Sequence, residues 1–150
     1  MKNKKLKVKI SKRDVAVVLL FNKKREILLQ KKSLDYCWFP ERWCLFGGGV
    51  EKDEKPEKAL IRELKEELNY KLTNKKFLGV EKYQDKVGES FREGKQHVFY
   101  VLFKKQNFNV LLNEGADFAF FSYDKLDAVD IVDHDLKIIK KYYSGLFNND

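Results

Sequence analysis

Residues 47–70 read GGGVEKDEKPEKALIRELKEELNY. Within that stretch, Arg62-Glu63-Leu64-Lys65-Glu66-Glu67 puts three carboxylates on little more than one turn of an expected helix. At about 100° per residue, Glu66 lies about 60° to one side of Glu63 and Glu67 about 40° to the other. All three share one face. Leu60, Ile61, Leu64 and Leu68 fall on a separate arc that can bury against a core. Like charges at these spacings cost an isolated helix roughly 0.2–0.5 kcal/mol per pair. A hard divalent cation with oxygen ligands removes that cost. The plain alternative is a solvated acidic face, which the helix alone does not exclude.

The residues upstream decide between the two. Gly48 is followed six positions on by Glu54, and Glu54 eight positions on by Arg62. The stretch resembles the signature of the Nudix hydrolases: Gly, five residues, Glu, seven residues, Arg-Glu, an aliphatic residue, any residue, Glu-Glu, any residue, Gly, an aliphatic residue. Gly48, Glu54, Arg62, Glu63, Glu66 and Glu67 fall at fixed positions. At average usage of about 5–7% each, chance gives on the order of 10⁻⁷ per window. The approach FPERWCLFGG, Phe39 to Gly48, is similar to the family's entry into the glycine loop. Asn69 stands where the signature has Gly and Tyr70 where it has an aliphatic residue. Asn is the next best residue for a left-handed helix stop. Lys55 is a poor cap before Pro56, a residue suited to the first helical position. Phe46 replaces a Pro common before the glycines.

The resemblance implies an α/β Nudix fold, a mixed β-sheet sandwiched between α-helices. It implies cleavage of a nucleoside diphosphate linked to another group, with Mg²⁺ or Mn²⁺ and water. A polyphosphate repels an attacking hydroxide, so the site must neutralise charge and deprotonate water, and divalent ions do both. Glu63, Glu66 and Glu67 match the family's metal-binding and base positions, and the Gly48 carbonyl a further ligand. Arg62 and Glu54 match bracing positions. Glu114, in the loop before the last strand, matches a carboxylate that completes the metal site or acts as base; an ordinary loop acid is the alternative. Lys32 is a candidate phosphate contact against the plain reading of an exposed lysine. Asp133, with Asp135 as the alternative, is a candidate base contact at the start of the final helix, where a helix cap is the competing role.

A chain of 150 residues with 43% hydrophobic and 36% charged content fits one globular domain spanning 1–150. The longest apolar run, Val15 to Phe21, is far too short to span a bilayer. The basic start lacks the apolar segment of a signal peptide, so a cytoplasmic protein is expected. Cys37 and Cys44 are expected as reduced thiols, and no zinc-site spacing appears. Residues 1–33 carry twelve Lys/Arg against Asp14 and Glu26, a balance of +10, so with +8 overall the remainder is −2. Such a basic half attracts polyphosphate or nucleic acid, or simply solubilises.

In chain order, Leu6–Ile10 reads as an edge strand and Asp14–Phe21 as a buried strand. Asn22–Arg25 is a turn, and Glu26–Lys31 returns as a hairpin partner. Ser33–Trp43 is a loop. A helix covers Pro56–Leu68, and Phe77–Tyr83 is a strand. Asp85–Lys95, polar with two glycines, reads as a mobile loop. Gln96–Lys104 is a strand, Asn107–Asp117 a loop and Phe118–Tyr123 a short strand. A helical turn follows near Leu126, and a final helix starts at Asp133 or Asp135. The leading expectation is hydrolysis of a nucleoside triphosphate, an oxidised purine included, to monophosphate and pyrophosphate. An RNA 5′ end, a sugar nucleotide, a dinucleoside polyphosphate and a homodimer stay open. The rival classes are a noncatalytic nucleotide-sensing module and a nucleic-acid adaptor.

Overall fold

The computed structural model describes residues 9–34, 38–107 and 117–147. Among them eight strands join in one mixed sheet: β1 (Lys9–Lys12), β2 (Val15–Phe21), β3 (Ile27–Lys31), β4 (Trp43–Cys44), β5 (Phe46–Gly49), β6 (Lys76–Val87), β7 (Ser90–Leu102) and β8 (Asp117–Phe121). Helices α1 (Pro56–Leu68) and α2 (Asp133–Phe147) cover its two faces. This is the α/β layering expected from the sequence.

Strand β2 is the hub. It runs parallel to β7, from Val15↔Gln96 to Phe21↔Leu102, and antiparallel to β5, from Val15↔Gly49 to Val18↔Phe46. Ala16, Val18 and Leu20 join Leu60, Leu64 and Leu68 of α1 in one core. Val17, Leu19 and Phe21 join Ile138 and Ile139 of α2 in the other. A strand covered on both faces has no solvent side, so its sequence is a continuous apolar run rather than an alternation. The register with β5 holds the three glycines beside β2. Packing of Leu60, Leu64 and Leu68 fixes the rotation of α1 about its axis.

Helix α1 has the expected bounds. Lys55 makes no side-chain cap, and Pro56 opens the helix. Asn69 closes it at φ 50°, ψ 39°, in the left-handed region. There Asn69 N–H donates to the Lys65 carbonyl and Tyr70 N–H to the Leu64 carbonyl, at 3.0 and 3.1 Å. Asn thus performs the stop usually given to Gly. Tyr70, where an aliphatic residue was the pattern, is buried, and its hydroxyl accepts the Lys104 N–H.

The expected loop at Asp85–Lys95 is instead the tip of a long hairpin. Strands β6 and β7 pair from Lys76↔Tyr100 to Val87↔Ser90, with one irregularity between Phe77 and Gly79. Gly88, at φ 59°, makes the turn. The error has a physical cause. Tyr83 and Asp85 point inward while Lys82, Gln84 and Lys86 stay exposed. Tyr83 OH donates to the Arg13 carbonyl at 2.6 Å, and Asp85 accepts from Arg92 Nε at 2.8 Å. A strand whose buried positions are themselves polar shows no hydrophobic alternation. Among the described residues the first strand is Lys9–Lys12, which contains Lys9 and Ile10 of the expected Leu6–Ile10 and runs on to Lys12; residues 6–8 lie outside the described residues. Cys44 is a buried free thiol whose pKa burial pushes up; Cys37 lies outside the described residues. No described helix is long and apolar enough to cross a membrane.

Candidate active site

The site grows from the contact between β5 and α1. A Cβ on Gly48 would fall 2.4 Å from the Glu63 carboxyl carbon and 2.6–2.7 Å from its oxygens. Only glycine lets that carboxylate rest on the strand backbone. One residue earlier, Gly47 N–H donates to Glu67 Oε1 at 3.1 Å. Gln30, a buried amide on β3, donates to Glu67 Oε2 at 3.0 Å. Burial raises the Glu67 pKa to about 7, against the opposing pull of Lys32 and Gln30, with Glu63 adding to the rise. Glu66, one turn on from Glu63, is largely exposed, 3.9 Å from Arg62 Nη1.

Arg62 ties the loop to the helix. Its Nε and Nη2 hold the two oxygens of Glu54 at 3.0 and 2.9 Å, Nη2 also donates to the Gly49 carbonyl, and Nη1 donates to Glu63 at 2.8 Å. Glu54 also accepts the Glu51 N–H at 3.0 Å. The Arg62 guanidinium and that N–H hold the Glu54 pKa down at about 2. Such a bidentate fork fixes orientation as well as charge. It spans the connection between β5 and α1 with one side chain.

A cavity of about 310 Å³ opens on the α2 side of the glycine strand. Its lining includes Gly47, Gly48, Gly49, Lys32, Trp38 and Asp135. At its far wall, buried Asp135 accepts from Leu45 N–H at 3.0 Å and Gln96 Nε2 at 2.9 Å. His134 sits 3.0 Å from both Asp85 and Asp135. Burial pulls the His134 pKa down, but the two carboxylates prevail and raise it to about 9. The Arg92 guanidinium lies 4.2 Å over the Trp38 ring while its Nε holds Asp85, a cation–π contact in a charge-paired wall.

Of the sequence candidates, Gly48, Glu63 and Glu67 meet at one place. Lys32 lines the cavity beside Glu67 and acts on it through space. Glu66 is on the same helix face but turned to solvent. Glu114 lies outside the described residues. Asp133 is the first residue of α2, with its side chain almost fully exposed and 3.4 Å from Arg42 Nη2. Its carboxylate is engaged with Arg42 rather than capping the helix, which corrects the cap expectation. Asp135, the alternative, is the carboxylate that reaches the cavity. Gln30 and Arg92 were missed. Gln30 did leave a signal, as the lone polar residue in the run Ile27-Leu28-Leu29-Gln30.

Among the described residues no three His, Cys, Asp or Glu side chains converge as a ready metal cluster. The donor set nevertheless suits a hard divalent ion of the magnesium type, which keeps several waters and takes only one or two carboxylates. Glu63 and Glu67 flank the backbone at Gly47–Gly48, every donor is oxygen, and among the described residues the Glu67 carboxyl has no hydrogen-bonded cation.

Residues 11–142 match the family model for the Nudix domain. The chain is 33% identical over 114 residues to a nucleoside triphosphatase NudI of Klebsiella pneumoniae (strain 342), covering 73% of this chain and 78% of the relative. It is 31% identical over 116 residues to the protein of that name from Escherichia coli O139:H28, covering 74% and 79%. Among solved structures, a MutT protein from Methanosarcina mazei Go1 superposes with TM-score 0.71 at 17% identity, over 96% of this chain and 100% of that one. The Nudix domain of Shewanella oneidensis NrtR, complexed with ADP ribose, gives 0.72 at 17% identity over 96% and 94%.

Proposed function

The chain belongs to the Nudix family, and from that premise we propose that this pyrophosphohydrolase acts on a nucleoside triphosphate, releasing monophosphate and pyrophosphate. Family members generally use divalent metals, and Mg²⁺ or Mn²⁺ is the expected ion here. The observation that carries the reading is the pair of carboxylates on the glycine strand, Glu63 against Gly48 and Glu67 on the Gly47 N–H. The similarity to nucleoside triphosphatases NudI supports the substrate class.

Glu63, Glu66, Glu67 and the Gly48 carbonyl would hold the metal, and Glu114 is assigned to the same set. When bound, the ion neutralises phosphate oxygens and lowers the pKa of water. The chain's own residues do the rest. Gly47 N–H and Gln30 fix the orientation of Glu67, and Arg62 fixes that of Glu63 and of the loop. The three glutamates supply the acceptor for the proton of the attacking water. Water adds to phosphorus as the bridging P–O bond breaks, and pyrophosphate leaves with the bridging oxygen. Lys32 offers a positive charge to the phosphates, and Asp135 offers an acceptor edge to the base. The carboxylate can accept from an amino or imino group.

A panel of nucleoside triphosphates, oxidised purine nucleotides, sugar nucleotides and capped or triphosphorylated RNA, assayed with Mg²⁺ and with Mn²⁺ for phosphate and pyrophosphate release, tests the reading. Pyrophosphate from triphosphates is the expected product. Saturable nucleotide binding without turnover under either metal would sink it in favour of a sensing module.

A further inference from the structure

A second cleft, about 820 Å³, lies beyond the rim of the first. Arg13 and Tyr83 line both. Its cations come from separate elements: Lys12 and Arg13 at the end of β1, Lys52 after the glycine strand, Lys82 on β6 and Lys95 on β7. Three carboxylates share the cleft, and each is engaged. Asp14 accepts the Lys95 N–H, Glu51 lies 3.8 Å from Arg62, and Glu93 lies 4.0 Å from Lys12. Among the described residues, the side chains of Arg13, Lys52, Lys82 and Lys95 have no hydrogen-bond or ion-pair partner.

Two further features separate this cleft from an ordinary solvated basic surface. Lys82 and Lys95 are direct cross-strand partners. Like charges directly opposed on a sheet repel and destabilise it, and an anion between them removes that cost. The Arg13 side chain lies on Gly49, where a Cβ would fall 2.0 Å from Nε and 2.2 Å from Cζ. The glycine therefore brings a free guanidinium to the last residue of the strand against which Glu63 and Glu67 of α1 rest. Arg13 thus sits at the edge of the candidate reaction centre, and Asp135, which lines the first cavity, does not line the second.

We propose that this cleft is an anion subsite for a phosphate chain extending past the cleaved anhydride, on the side away from the base. The inference rests on the nucleotide-hydrolase reading and deepens it. It points to substrates with more phosphates than a triphosphate, such as nucleoside tetraphosphates or dinucleoside polyphosphates. A nucleic-acid strand fits less well. Single-strand sites combine charge with aromatic stacking platforms, whereas among the described residues the only ring lining this cleft is Tyr83, whose hydroxyl is already bonded to the Arg13 carbonyl.

The test is equilibrium binding of inorganic tripolyphosphate, by calorimetry without divalent metal, to the full chain and to K82Q/K95Q. K23Q/K24Q, which removes the same charge from the turn after β2, is the control. The double variant is expected to bind about tenfold more weakly, and the wild-type affinity to fall with salt. K23Q/K24Q should bind as wild type. The melting temperature of K82Q/K95Q should equal or exceed that of wild type, since a repulsion has been removed. The kcat/KM ratio of adenosine tetraphosphate to triphosphate should fall in the same variant. Equal tripolyphosphate binding by wild type and K82Q/K95Q overturns the subsite, whatever nucleotides are turned over. Loss of binding in the double variant supports it, even if the nucleotide panel fails and the triphosphatase reading falls. A 5′-phosphorylated oligonucleotide that binds more tightly than tripolyphosphate, through the same two lysines, overturns the choice of occupant.

Discussion

Two carboxylates, Asp85 on β6 and Glu67 on α1, are held in opposite ways. Asp85 accepts from Arg92 at 2.8 Å and lies 3.0 Å from His134, and its pKa is lowered: burial works against that shift, and the two bonded cations overcome it. Glu67 is bonded by a backbone N–H and a neutral amide, and its pKa rises to about 7. A carboxylate with its cations in place holds β6 and β7 to the start of α2. One with neutral donors only is oriented yet still short of positive charge. The first arrangement is complete within the chain, and the second calls for a partner from outside. The difference predicts where substitutions damage chemistry and where they damage the fold.

The largest expected effect is at the incomplete end. Glu67→Gln keeps the side-chain volume and removes the charge. Turnover should fall by about 10²–10⁴-fold, with a melting temperature at or above that of wild type in metal-free buffer at pH 8. Near-native kcat at limiting metal would erase the contrast. At the paired end, His134→Gln should cost about 2 kcal/mol near pH 6. The sign follows from a folded pKa of about 9 against 6.5 for the free group. The native state binds the proton more tightly, so the contribution is full below about pH 6.5 and is lost as pH rises through about 9. Melting curves from pH 5 to 10 should show wild type declining across that window, and H134Q should be flatter. Parallel curves would mean that His134 does not carry its charge into the fold. Glu114→Gln, assigned to the metal set, should lower kcat about tenfold or more with an almost unchanged melting temperature. Identical kcat across pH and metal concentration would return it to an ordinary loop acid.

The sequence was legible where one residue type had one job. The bounds of α1 followed from apolar spacing, Pro56 and Asn69. The apolar run of β2 followed from burial on both faces. The glycine-to-glutamate spacing marked the strand and helix that meet at Gly48. The paired end was illegible for a physical reason: Tyr83 and Asp85 of β6, Arg92 and Gln96 of β7, and His134 and Asp135 of α2 contact one another across three elements, and no sequence spacing records that. Polar residues in the interior of β6 and β7 imitate a loop when their partners are unknown. Arg13 left no trace either, because its place over Gly49 depends on the register of β1 with β7 and of β2 with β5.

The smallest effect is expected at Asp133, which tests how far the paired wall reaches. Its carboxylate is almost fully exposed, and among the described residues its one ion-pair partner is Arg42, at 3.4 Å. Arg42 is held independently by Asp130 at 2.9 Å and by the Ile131 carbonyl at 2.7 Å. Removing the charge therefore leaves the arginine in place. An exposed pair of this kind contributes well under about 1 kcal/mol, so Asp133→Asn should shift stability by no more than about 0.5 kcal/mol. Its place outside the cavity lining predicts no change in the ratio of kcat/KM among guanine, oxidised guanine and adenine nucleotides. Asp135, two residues on, is buried against Leu45 N–H and Gln96 with an edge on the cavity. Asp135→Asn should alter that ratio, because an amide presents a donor where the carboxylate presented only acceptors. A changed ratio in Asp133→Asn, with none in Asp135→Asn, would move base recognition out to the exposed first turn of α2 and leave the buried wall a purely structural element.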